Sequence, residues 1–302
     1  MKRTICGWAL SLALLLPGLA VGAPGDLLAR ADADWARRAE GQVDYRAAPG
    51  PIANAIEGYE SALRAQPANL EARWKLLRAI QFMGQFVAKE REQRREVFGH
   101  GRQVFEVGQD VLGERVGGRE ELDDMKPAEL REHFGNSPDV APVYLYGAIN
   151  YGQWASAFGA VAALRQGVGA RVRRYAEIVI ALDPEYDGGA GQRFLAGIHS
   201  NAPRIPFLTG WVKPETAISL LRQALEIDPD HPETRMNLAL TILRHAPDQE
   251  SEAVAILAEL AELEPRPDAL LESLSMRRNA REVLERVSAG SDLKGVGAGD
   301  SR

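Results

Sequence analysis

The chain has 302 residues, 45 % hydrophobic and 26 % charged, with a formal charge of −6. That is enough apolar material for a sizeable core, and the acidic balance disfavours nucleic acid and anionic membrane as partners. A single cysteine, Cys6, leaves no room for a disulfide framework or a thiolate metal site.

The first 23 residues read as a secretory signal peptide. Lys2 and Arg3 precede an apolar run from Trp8 to Leu16, Pro17 and Gly18 break it, and Val21-Gly22-Ala23 supplies small residues for cleavage near Ala23. Export to the periplasm is the expectation. Cys6 lies before the apolar run, so lipoprotein processing is not expected, and the mature chain would hold no cysteine. Loss of Lys2 and Arg3 makes it more acidic by two charges.

Residues 24–47 read as one helix, with Leu27, Leu28, Ala31, Trp35 and Ala39 at helical spacing, ended by Ala48-Pro49-Gly50-Pro51. A second helix is expected from Ile52 to Ala65, a third from Leu70 to Val87 and a long charged one from Lys89 to Leu112. Residues 113–142, with Val116-Gly117-Gly118 and Asn136-Ser137-Pro138, read as a linker of loops around one short helix. Pro142–Arg165 reads as a central apolar helix, uncharged until Arg165. Gly167–Leu182 and Ala190–Ser200 follow, then an irregular Pro-rich insertion over 201–214. Glu215–Ile227, Pro232–Arg244, Glu250–Leu263 and Ala269–Val287 close the array. Residues 24–287 form one helical domain on this reading, and the Gly- and Ser-rich tail 288–302 reads as disordered.

The strongest pattern is an internal repeat. A tetratricopeptide unit is two antiparallel helices in about 34 residues. Its second helix carries a small residue, a bulky one four later, a small one three later and a proline five beyond. Small residues let helices approach, and proline stops the helix. Ala55, Tyr59, Ala62 and Pro67 match this spacing, as do Ala217, Leu221, Ala224 and Pro229. Ala253, Leu257, Leu260 and Pro265 match with leucine in the second small slot, and Pro265 lies 36 residues after Pro229. The fold expected is all-α: tetratricopeptide-like antiparallel helix pairs in a superhelical array around a central apolar helix. Such stacks usually leave a concave surface for a ligand.

The run Val143-Tyr-Leu-Tyr-Gly-Ala-Ile-Asn150-Tyr-Gly-Gln-Trp154-Ala, the helix ending Leu182-Asp-Pro-Glu-Tyr186, Gly188-Gly189 and the Pro-rich insertion before Ala217 resemble the T component of TRAP transporters, the TatT family. The resemblance covers roughly 52–265. It implies a periplasmic protein of divergent helix pairs around a central helix, able to form trimers. It also implies a solute-binding protein as partner and an apolar small molecule, such as an organic acid or a lipid, as cargo. One departure stands out: members are often lipid-anchored, and here no cysteine follows the apolar run. A periplasmic scaffold for protein–protein interaction in envelope assembly is the alternative.

No catalytic set can be assembled from the sequence. His100, His133, His199, His231 and His245 are scattered without ligand spacing, and no phosphate loop, paired-glycine fingerprint or nucleophile elbow occurs. No enzyme activity, metal or cofactor is expected. Tyr146, Asn150, Tyr151 and Trp154, on the uncharged helix, are the candidate ligand-binding residues, because aromatic faces around an amide suit an apolar ligand with a polar head. Phe207, Leu208 and Trp211, in the Pro-rich insertion, are the candidate partner contacts. Packing of that insertion back over the repeats is equally compatible with the sequence.

Overall fold

The computed structural model describes residues 24–158, 167–205 and 209–290. The expected signal segment, the tail beyond 290, and Phe207 and Leu208 lie outside the described residues. Among the described residues the chain is all-α, with thirteen α-helices and no strand beyond one isolated bridge between Val43 and Arg46. No helix among them is long and apolar enough to cross a membrane.

Helices α1 (Pro24–Ala36), α2 (Pro49–Ala65) and α3 (Leu70–Phe82) pack in succession around Ile52, Ala55, Tyr59, Leu76 and Ile80. The first helix stops earlier than its apolar spacing suggests. Residues 37–41 turn, and Gly41 and Asp44 adopt left-handed backbone at φ 70° and 55°, which a helix cannot continue through. Helix α3 runs into a π-helical turn over Met83–Val87 before α4 (Arg91–Gly113) begins.

Where the sequence suggests loops around one short helix, two helices form: α5 (Arg119–Asp124) and α6 (Pro127–Phe134). Leu130 and Phe134, four residues apart, share a face of α6, Leu122 lies on α5, and all three are buried in the central cluster, with α6 packed on the later helix Val168–Leu182. The segment is therefore part of the core.

Helix α7 (Val140–Phe158) is the hub. It packs against α3, α4 and α8 (Val168–Leu182). Close approach to α4 rests on two glycines. A Cβ on Gly147 would lie 2.1 Å from the Phe105 ring, and one on Gly101 2.4 Å from Asn150 Oδ1. The charge-free stretch is thus explained by burial: Val140, Val143, Tyr144, Ala148 and Asn150 have almost no exposed surface.

The second half continues through α9 (Ala190–Asn201), α10 (Pro214–Ile227), α11 (Pro232–His245), α12 (Glu250–Ala261) and α13 (Leu270–Ser288), each packed on the one before. The repeat positions do what their spacing implies. Ala55, Tyr59 and Ala62 in α2, Ala217, Leu221 and Ala224 in α10, and Ala253, Leu257 and Leu260 in α12 are all at most 1 % exposed. Proline or Asp-Pro follows each of these helices. The last helix also returns to the first: Leu271 belongs to the α1–α3 cluster, and Arg38 donates to Glu272 at 3.1 Å and to the Asp268 carbonyl.

Candidate functional site

Trp74 and Arg78 sit one turn apart on α3 and so share a face. The Trp74 indole is fixed at its polar edge, where Nε1 donates to Asp139 Oδ1 at 2.8 Å. Its flat face lies against Tyr146 of α7, with centroids 6.2 Å apart and planes 15° from parallel. Trp35 of α1 completes the set. The Arg78 guanidinium carbon is 4.1 Å from the Trp35 ring centroid and 4.9 Å from that of Trp74. A cation over two indoles is held by their quadrupoles, at about 0.5–2 kcal/mol per contact depending on desolvation.

Nearby cations have partners that Arg78 lacks. Lys75 Nζ is 2.7 Å from both Asp32 Oδ2 and Glu71 Oε1. Asp32 also accepts from the Tyr59 hydroxyl at 2.8 Å. Arg38, 4.4 Å over the same Trp35 ring, pairs with Glu272. Arg73, a buried arginine of α3, donates to the carbonyls of Pro67 and Val104, a role that ties the helix to its neighbours. Arg78 has no carboxylate within ion-pair distance among the described residues and its buried Nε has no hydrogen-bond partner, but the Tyr59 hydroxyl lies within its hydrogen-bonding reach.

Three phenols lie close to the Arg78 charge. Burial raises Tyr59, Tyr146 and Tyr186 above the usual phenol range, and Arg78 opposes the rise in each case. All three are neutral at physiological pH. Tyr186 is set by the turn before α9. There Asp187, Gly188 and Gly189 have successive positive φ values of 47°, 60° and 81°. Buried Arg193 holds that turn by donating to the carbonyls of Asp187 and Gly188 at 2.7 and 2.8 Å and to the Asp187 carboxylate at 2.7 Å.

The four residues singled out on α7 do not converge on one pocket. Tyr146 joins the Trp74–Arg78 surface. Asn150 is fully buried and pins helices: its Nδ2 donates to the carbonyls of Leu77 at 2.9 Å and Tyr146 at 2.8 Å. Tyr151 and Trp154 stack at 5.9 Å on another side of the helix. The Tyr151 hydroxyl accepts from Arg171 at 3.3 Å, and Arg102 lies 4.2 Å over Trp154. The reason is angular: residues three to five apart on a 3.6-residue helix spread over more than a third of its circumference. Trp211, considered as an exposed partner contact, is half-buried instead. Its ring meets His199 edge-on at 5.4 Å and carries Arg173 at 4.8 Å.

In the sequence Trp35 is one apolar position at helical spacing, and Arg78 belongs to no motif. The signal available was the Trp74-x-x-x-Arg78 spacing, which cannot show that Trp35, on another helix, supplies the second ring. A separate cleft of 590 Å³ lies between the turn at 41–49 and the start of α4, lined by Val43, Met83, Val87 and Val97 among others. Its Arg46 already donates to the Ala88 carbonyl at 3.2 Å. No group of three His, Cys, Asp or Glu side chains suited to a metal ion occurs among the described residues. Compared with known proteins, the chain matches no family model and no curated protein.

Proposed function

We propose that this is a non-catalytic binding protein of the periplasm, an accessory component of a TRAP-type transport system that engages a solute-binding protein. The observation that carries this reading is the threefold repeat spacing with every one of its nine positions buried between packed helices. That is the construction expected of stacked tetratricopeptide-like pairs, whose usual work is to present a surface to a partner. The half-buried aromatic surface at α1, α3 and α7 supports a role in holding an apolar solute.

The test is affinity purification of the tagged full-length chain from its own host after mild cross-linking, followed by native mass spectrometry. The reading predicts a product lacking about the first 23 residues, a defined oligomer such as a trimer, and a solute-binding protein in the complex. Recovery with envelope-assembly proteins and no solute-binding protein would favour the scaffold alternative. Retention of the N-terminal segment in a cytoplasmic fraction would remove both.

A further inference from the structure

We infer that the hairpin tip at Val43 and the apolar cleft beside it form a self-complementary patch through which two copies of this chain pair, the tip of each seated in the cleft of the other. Val43 is 70 % exposed, the most open of the large apolar side chains among the described residues. It is also held rigidly. Val43 and Arg46 exchange both backbone hydrogen bonds at 3.0 Å, the Ala47 N–H donates to the Phe86 carbonyl at 3.0 Å, and the Arg46 guanidinium donates to the Ala88 carbonyl at 3.2 Å. A fixed, exposed valine loses little freedom when a partner surface covers it. The 590 Å³ cleft takes its walls from the 41–49 turn, the π-helical turn and the start of α4. The π-helical wall is fixed from behind, since a Cβ on Gly84 would lie 2.4 Å from the Phe98 ring. Met83, Val87 and Val97 are half-buried in the single chain and keep apolar surface for a guest.

The polar groups decide what kind of guest the cleft takes. A small-molecule site needs a few convergent polar anchors. Here Arg46 is committed to Ala88, and Gln93 Oε1 accepts from the Lys89 and Glu90 N–H groups at 3.0 and 3.2 Å. The free charges are exposed ones. Lys89 and Glu96 line the cleft and Asp44 flanks Val43, and none of the three has an ion pair among the described residues. Glu96, the one acid of the lining, stands more than a turn along α4, so an incoming Asp44 is steered to the Lys89 end. A two-fold pair makes that contact twice, Asp44 of each copy against Lys89 of the other, while each Val43 enters the facing apolar walls. Because the projection and the cleft share one patch, the contact is isologous and closes at two copies. It is therefore a different contact from the threefold assembly that the family resemblance implies, and it depends on no transport partner. One hairpin tip and one cleft per copy make a small interface, so the dimer is weak and concentration-dependent.

The test is sedimentation velocity of the purified full chain from about 1 to 200 µM, a range that brackets a weak dimer. A reversible monomer–dimer equilibrium is expected. Val43→Asp should raise the dimer dissociation constant at least about tenfold, by placing a charge against apolar walls. Asp44→Asn, which keeps a residue suited to left-handed backbone, and Lys89→Gln should each weaken the dimer, and the double variant should be no weaker than either single one, the mark of two groups that act on each other. Melting temperatures should stay within a few degrees, because all three positions are exposed or carry no ion pair within the chain. Should V43D fold poorly, the cycle at positions 44 and 89 decides. A monomer throughout the range, an assembly of another size, a dimer indifferent to V43D, or additive losses from D44N and K89Q would overturn the inference.

Discussion

Two kinds of polar side chain occupy the interior, and they behave differently under substitution. Asn150 works for the fold. Replacing it with leucine leaves the carbonyls of Leu77 and Tyr146 without their side-chain donor and adds bulk beside Gly101, where space is already short. A loss of about 1–3 kcal/mol is expected in denaturant unfolding. Arg78→Gln gives up no ion pair, and should cost about 0.5–2 kcal/mol for each indole contact it loses. The histidines give a pH dependence. His199 Nδ1 accepts from the Lys213 N–H at 3.1 Å and His231 Nδ1 from the Thr234 N–H at 3.4 Å, so both bonds need the neutral ring. Burial foremost, then Arg173 for His199 and Arg193 for His231, lowers both below the ordinary 6.5. The folded state then binds fewer protons than the unfolded one. Its contribution from these sites is complete above about pH 6.5 and declines as the pH falls towards the folded values. Thermal melts from pH 8 to 5 should show this decline, and it should flatten when both histidines are replaced by glutamine.

At the scale of helices, the repeat positions are the structural investment of α2, α10 and α12. Leu257→Ala should cost about 2–5 kcal/mol, because a fully buried leucine between packed helices leaves a cavity. The exposed Ile227 at the end of α10 should tolerate alanine within about 0.5 kcal/mol. Paired unfolding curves separate the two. This contrast also marks what the sequence could convey. The spacing of Ala217, Leu221, Ala224 and Pro229 is local, and periodicity alone was enough to place that helix and its buried face. The end of α1 was not local. Its apolar spacing runs on to Ala39, but left-handed backbone at Gly41 and the pull of Arg38 towards Asp268 and Glu272 take over. Of helices α5 and α6 only one short helix is legible between the glycine and acidic flanks, and the burial of Leu122, Leu130 and Phe134 shows that the segment belongs to the core. The candidate site was half legible. Tyr146 stands out in the sequence as one aromatic residue of the uncharged helix and stacks on Trp74, whereas its neighbours Trp35, Trp74 and Arg78 come from two helices far upstream. Contacts across such separations leave no period to read.

Over the whole molecule, the two ends are joined. Arg38 contacts residues more than 200 positions later, Leu271 fills the N-terminal cluster, and Arg278 lies 4.2 Å over Tyr45. Arg38→Ala removes a buried guanidinium that serves both Glu272 and the Asp268 carbonyl, and should lower stability by about 1–3 kcal/mol. Hydrogen exchange should show the effect on α1 and α13 together, although they are remote in sequence. An effect confined to α1 would mean that the junction is a surface contact without energetic weight.

An open stack of helix pairs can begin folding at any unit and grow by adding neighbours. Here the oldest hydrophobic cluster on a growing chain stays unfinished until its final helix arrives, since Leu271 is part of it. Nucleation within the middle helices can be quick, but sealing the ends entails the loop-closure entropy of nearly the entire chain. Maturation should therefore be paced by that last docking event, and any truncation ahead of α13 should release a nascent N-terminal region with its apolar side uncovered.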